Sequence, residues 1–158
     1  MTRIELQTEI KATRDVCFDL SRSIDVHRLS TKTSDEIAIG GKTEGLIEQG
    51  EWVKWEATHF FIRQTMTVQI KQMKEFRYFV DEMVDGPFRS MKHEHHFIAE
   101  HGKTIMSDKF EYEVPFGLVG KAFDTIILKH YMRKLLIKRN ETIRELAESG
   151  DWKKYLQN

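Results

Sequence analysis

The hydropathy pattern changes period once, and that change confines the chain to a narrow set of architectures. Apolar and polar side chains alternate through Glu51–Phe61, Gln64–Met73, Phe76–Val84, Phe88–Glu100 and Thr104–Val114, the period of two that marks strands with one buried face. Short links, notably Asp85-Gly86-Pro87 and His101-Gly102, make these segments an antiparallel meander. Pro115 and Gly117 end the last strand. From Leu118 to about Ser149 the apolar residues recur at helical spacing, through Val119, Phe123, Ile127, Tyr131, Leu135 and Ile143. A helix of roughly 30 residues is about 45 Å long at 1.5 Å per residue, so it must cross the whole sheet.

Upstream, Ile4, Leu6 and Ile10 alternate with polar residues and predict a first strand. Thr13 is placed to cap a short helix over Arg14–Leu20, and Ser23 a second over Ile24–Leu29. The stretch from Ala38-Ile39-Gly40-Gly41 to Gly45-Leu46-Ile47 reads as a bend and a short strand. The order obtained is strand, two short helices, six strands, long helix, an α+β arrangement. No linker, low-complexity tract or internal repeat divides the sequence. Residues 1–158 are therefore expected to form a single domain, large enough to bury a core without metal or disulfide staples.

Twenty-five Lys+Arg residues balance 25 Asp+Glu, which argues against a nucleic-acid partner, whose phosphates need excess cations. Cys17 is the one cysteine, so no disulfide can close within the chain. The start Met1-Thr2-Arg3-Ile4-Glu5-Leu6 lacks the apolar run of a secretion signal, and nowhere do 18 apolar residues run together. A cytoplasmic protein without integral membrane association is expected.

The element order resembles the helix-grip fold of the START/Bet v 1-like superfamily, in which a curved seven-stranded antiparallel sheet wraps a long C-terminal helix and leaves a cavity between them. Local strings are more specific. They include Leu20-Ser21-Arg22-Ser23-Ile24-Asp25-Val26-His27, Trp55-Glu56-Ala57-Thr58-His59-Phe60, Phe79-Val80-Asp81-Glu82-Met83-Val84, His93-Glu94-His95-His96-Phe97 and Tyr112-Glu113-Val114-Pro115-Phe116-Gly117. Together with Gly45-Leu46-Ile47, Gly50-Glu51 and Gly86-Pro87-Phe88, they look like the bacterial SRPBCC proteins often labelled polyketide cyclase/dehydrase-like. The resemblance spans nearly the whole chain. It implies the fold and a hydrophobic-ligand cavity; the chemistry has to come from the residues, because lipid carriers, cyclases, hydroxylase subunits and co-chaperone domains share this architecture.

Strand phase gives those residues. Met66, Val68 and Ile70 share one face of their strand, and Met106, Asp108, Phe110, Tyr112 and Val114 one face of theirs. A two-residue His101-Gly102 turn sets Glu100 opposite Lys103, Phe97 opposite Met106 and His95 opposite Asp108. Pairing Glu82 with Lys92 aligns Asp81 with His93 and Phe79 with His95. Further out, a Lys74-Glu75 turn pairs Asp81 with Val68 and Phe79 with Ile70, and the next hairpin pairs His59 with Met66 and Trp55 with Ile70. The result is an apolar wall carrying two acids, Asp81 and Asp108, beside two histidines, His93 and His95. Buried carboxylates cost several kcal/mol unless paired, so Asp–His contacts are expected.

These groups support three readings. The first is a cavity for a small hydrophobic ligand: Trp55, Met66, Phe79, Met83, Phe97, Phe110 and Phe123 give apolar contact, while His59, Asp81, His93, His95 and Asp108 orient a polar end. His130, on the helical side of Phe123, Ile126 and Ile127, closes this cavity. The second is a cyclase or dehydratase with His93 or His95 as base. The third is an interaction module whose interior is filled and whose polar patch only fixes strand register. His93-x-His95 also has the spacing of a cupin-type metal site, but a cupin has no long C-terminal helix, and no metal or other cofactor is expected. Gly41-Lys42-Thr43 lacks the first glycine and the helix of a phosphate-binding loop. Lys129, Arg133, Lys134, Lys138, Arg139 and Arg144 form a basic stretch expected on a solvated helix face.

Overall fold

A computed structural model describes residues 1–156. Strand β1 (Thr2–Ile10) leads into helices α1 (Arg14–Ser21) and α2 (Ile24–Ser30), then β2 (Ile37–Gly41). The meander follows as β3 (Trp52–His59), β4 (Ile62–Lys74), β5 (Tyr78–Asp85), β6 (Ser90–Glu100) and β7 (Lys103–Glu113). The C-terminal helix begins as α3 (Gly117–Phe123), passes through a π-helical turn at Asp124–Leu128, and continues as α4 (Lys129–Ser149), with a last turn α5 (Lys153–Leu156). All strands pair antiparallel in one curved sheet ordered β1-β7-β6-β5-β4-β3-β2, and α4 packs against β1, α1 and α2. This is the helix-grip arrangement.

Alternation produces the sheet as expected. Every second residue of β7, from Thr104 to Tyr112, is buried, as are Met91, His93, His95 and Phe97 of β6. The β6–β7 register has Glu100 opposite Lys103, Phe97 opposite Met106 and His95 opposite Asp108. In the β5–β6 register Asp81 faces His93 and Phe79 faces His95. Phe18 of α1 plugs one end of the core, edge-on to Phe76, Phe79 and Phe97 at 5.4–5.7 Å between ring centroids.

Several local expectations are corrected. Thr13 stands at the start of α1, but its side chain makes no capping bond, whereas Ser23 Oγ accepts from the Val26 amide at 3.3 Å. The short strand is Ile37–Gly41, and Gly45–Ile47 contributes only a bridge between Leu46 and Ser23. In the outer hairpins Trp55 faces Met66 and His59 faces Ile62, because Phe60 and Phe61, both at positive φ, make the tight turn earlier than expected. Asp81 faces Ile70, and after an irregularity between Ile70 and Gln72, Phe79 faces Met73. Here the chain reverses through Glu75-Phe76-Arg77, with Phe76 at φ 58° and the Arg77 amide donating to Lys74 O at 2.9 Å. The shifts at Asp81 and Trp55 are even, so the inner faces survive them.

Candidate functional site

A cavity of about 630 Å³ lies between the inner face of the sheet and the helices. The interior is thus not filled, contrary to the interaction-module reading. Trp55, Met66, Phe79 and Phe110 form its apolar wall, His59 and Phe123 stand toward the helix side, and Asp81, His93 and His95 bring in the polar groups. The remaining candidates are placed elsewhere. Asp108 is buried behind the two histidines, Phe97 belongs to the Phe18 cluster, and Met83 packs on the core beside Met66 without itself lining the cavity. His130 is exposed on the outer side of α4. The π-helical turn takes one residue more than an α-turn, and the expected stripe is only partly the inner face: Tyr131, Met132 and Leu135 line the cavity together with Leu128, whereas Ile126, Ile127 and His130 are exposed.

The polar groups form a closed network. His93 Nε2 lies 2.9 Å from Asp108 Oδ1, and His95 Nε2 lies 2.8 Å from Asp81 Oδ1. His95 Nδ1 stands between Asp108 Oδ1 at 3.1 Å and Arg139 Nη2 at 3.4 Å, so it finds a partner whether or not it carries a proton. Arg139 also donates to Ser21 O at 3.0 Å and to Asn140 Oδ1 at 3.2 Å, while Asn140 Nδ2 donates to Asp108 Oδ2 at 2.6 Å. The ring of Phe79 stacks on His95 at 4.1 Å and holds its plane.

Burial alone would raise both acids. For Asp108, hydrogen bonds from His93 and His95 and the nearby Arg139 charge outweigh it and hold the carboxyl well below its usual range. Asp81 is held low chiefly by His95. His93 moves the other way: burial, then repulsion from His95, lowers it to about 4, against the pull of Asp108 and Asp81. At neutral pH its ring is uncharged.

A second polar group occupies the helix side. His59 Nδ1 bonds the Tyr131 hydroxyl at 2.7 Å, and burial lowers its pKa against the attraction of Glu36. His27 stacks on Trp55 at 4.3 Å and places Nε2 3.3 Å from Glu36 Oε1, out of line for a hydrogen bond. Burial would raise Glu36, but the charges of His27 and His59 hold it low. His27, Glu36, Tyr131 and Arg139 all line the cavity and were not among the candidates. For Arg139 the signal is its spacing of three and four from Leu135, Leu136 and Ile143, which puts it on the inner stripe and off the solvated basic face.

Asp81, His93 and His95 bring their ligating atoms within 4.8 Å of one another, a spacing that suits a metal. The Arg139 guanidinium already supplies positive charge to this network and repels a cation placed there. Among the described residues no helix is long and apolar enough to cross a membrane.

No protein-family model matches the sequence, and no curated protein matches it. Solved structures do match in fold. TTHA0849 from Thermus thermophilus superposes with a TM-score of 0.70 at 13% identity, covering 90% of this chain and 97% of that one. Protein CV1439 from Chromobacterium violaceum gives 0.69 at 11%, covering 92% and 96%. The major latex-like protein 151 from Panax ginseng gives 0.67 at 16%, covering 92% and 97%. At such identities the likeness is one of fold, the Bet v 1-like helix grip.

Proposed function

We propose that this chain binds a small hydrophobic or amphipathic molecule between its sheet and C-terminal helix. The cavity carries this reading: about 630 Å³ falls within the range of small-molecule sites, roughly 300–1,000 Å³, and its wall is apolar with a few convergent polar groups. The apolar body of the guest lies along Trp55, Met66 and Phe110, and its polar end meets Asp81, His93 and His95. On this reading residues 1–158 act as one domain in the cytoplasm, where Cys17 stays reduced.

The chemistry favours binding over a cyclase or dehydratase reaction. Both ring nitrogens of His95 already face partners, and a His93 with a pKa of about 4 is a weak base at neutral pH. Two experiments test the proposal. Native mass spectrometry of the purified protein should reveal a copurifying lipid-like molecule. Titration with 1-anilinonaphthalene-8-sulfonate should saturate at one site and quench Trp55. Ala57, buried on the cavity wall, gives the control: Ala57→Trp fills the space and should weaken dye binding by about tenfold, equivalent to about 1.4 kcal/mol, with the circular dichroism unchanged. Undiminished binding by a folded Ala57→Trp variant, together with no copurifying guest, would reject the proposal.

A further inference from the structure

The antiparallel order brings several connections to one end of the sheet: the β3–β4 turn, the β5–β6 turn, and the exit of β7 into α3. That end is unusually apolar. From Phe116 to Ile127 only Gly120 and Asp124 are buried, and Phe116, Leu118, Val119, Ile126 and Ile127 are among the exposed side chains. Across the cavity mouth the β3–β4 turn adds Phe61, fully exposed, and Ile62. Phe60 ties the two parts together, packing on Phe123 at 5.6 Å and on Tyr131 at 4.6 Å. Phe61 and Phe116 hold positive φ, 64° and 69°, where an aromatic residue is costly and asparagine or glycine would be usual. A soluble surface does not need bulky apolar groups held outward at such positions.

Charge identifies the occupant. Lys121, Lys129, Arg133 and Lys134 are exposed beside this rim, and none of them has a carboxylate partner among the described residues. The acid within the segment, Asp124, is buried and accepts from Thr2 and Tyr112. Nearby Glu56 and Glu113 are paired with Arg63 and Arg89, leaving Asp85 exposed in the β5–β6 turn. Apolar side chains that can enter the acyl boundary, flanked by cations at headgroup level, suit the surface of an anionic bilayer. We infer that the rim around the cavity mouth, built from the Phe60–Ile62 turn and the Phe116–Ile127 segment, docks this protein on anionic membranes. The docking goes beyond the cavity reading and does not depend on it.

Vesicle cosedimentation tests it with the full chain and no added guest. Vesicles of phosphatidylcholine containing one quarter phosphatidylglycerol should retain the protein at low salt, and retention should fall with added salt and on pure phosphatidylcholine. Phe61→Ser combined with Leu118→Ser should weaken binding at least about tenfold, since both side chains are exposed in the free protein. Lys121→Glu combined with Lys129→Glu should remove the preference for anionic lipid, at about fivefold per lysine. Ile98→Ser and Lys71→Glu, on exposed strand positions away from the rim, should change nothing. No retention of the wild type, or equal retention of the Phe61→Ser/Leu118→Ser variant, overturns the inference. So does a wild-type dimer, seen by sedimentation equilibrium, that this variant dissociates, because the rim's occupant is then a second copy of the chain.

Discussion

Acid should loosen this fold through His93, by an amount that follows from where the ring sits. Burial and the adjacent His95 lower the imidazole to about 4, whereas an exposed histidine titrates near 6.5. Between these values the unfolded chain takes up a proton that the folded chain refuses. Stability that is complete above pH 6.5 is therefore lost as the pH falls to 4, by up to ~1.4 kcal/mol per pH unit and about 3 kcal/mol in all. Asp81 and Asp108, both held low, carry the loss further below pH 4 with the same sign. His93→Gln isolates the histidine, because glutamine can donate toward Asp108 but does not titrate. Urea unfolding at a series of pH values, followed by tryptophan fluorescence, should show the variant less stable at pH 7 by about 1–3 kcal/mol. As the pH approaches 4 the difference should shift in the variant's favour by about 3 kcal/mol. Two curves that stay parallel from pH 7 to pH 4 would refute the reasoning.

Arg139→Met keeps an unbranched apolar stem but leaves Asp108 short of its cation; a loss of about 3–5 kcal/mol is expected from breaking a buried ion pair, and a thermal midpoint within two degrees of wild type would contradict it. Gly120→Ala would drive a Cβ into Pro115 O, so the start of the C-terminal helix must move, at a cost of about 1–3 kcal/mol in urea. Cys17 is fully buried and its thiol is pushed up to about 11 by burial. It should stay silent to Ellman's reagent at pH 8 until urea unfolds the chain, and prompt release of one equivalent from native protein would count against that.

The inner polar group was legible in the sequence because β5, β6 and β7 are joined by regular pairing. Once Glu100 sits opposite Lys103, a period of two carries the phase unbroken to His95, Asp108 and His93. The outer hairpins were less legible, since their turns are built from unusual residues. Phe60 and Phe61 take a left-handed turn with no glycine or asparagine to announce it, and Phe76 does the same at the next reversal. The faces at Asp81 and Trp55 hold, because slips of two and four residues return a side chain to the same side, and at Phe79, which slips by three, the irregularity between Ile70 and Gln72 supplies the odd residue.

On the helix the failure was one of phase. A strict 100° step from Phe123 carries His130 inward, but the chain inserts a π-helical turn that begins at Asp124, the residue anchored to Thr2 and Tyr112. That extra residue turns His130 out, while Tyr131 and Leu135 of the apolar stripe, with Arg139, stay toward the sheet. The basic residues 129–144 then separate into two populations that composition alone cannot distinguish: Arg139 is buried against Asp108, while Lys129, Arg133 and Lys134 remain at the surface. The same turn divides the helix by role. Beyond it the helix grips the sheet and completes the polar network, and before it the apolar side chains of α3 stay exposed at the cavity mouth. Asp124 and Arg139 lie fifteen residues apart, a separation that an α-helix turns through about 60° beyond four full rotations; the wider π-helical turn lessens that offset, and Asp124 keeps its buried contacts with Thr2 and Tyr112 while Arg139 reaches Asp108.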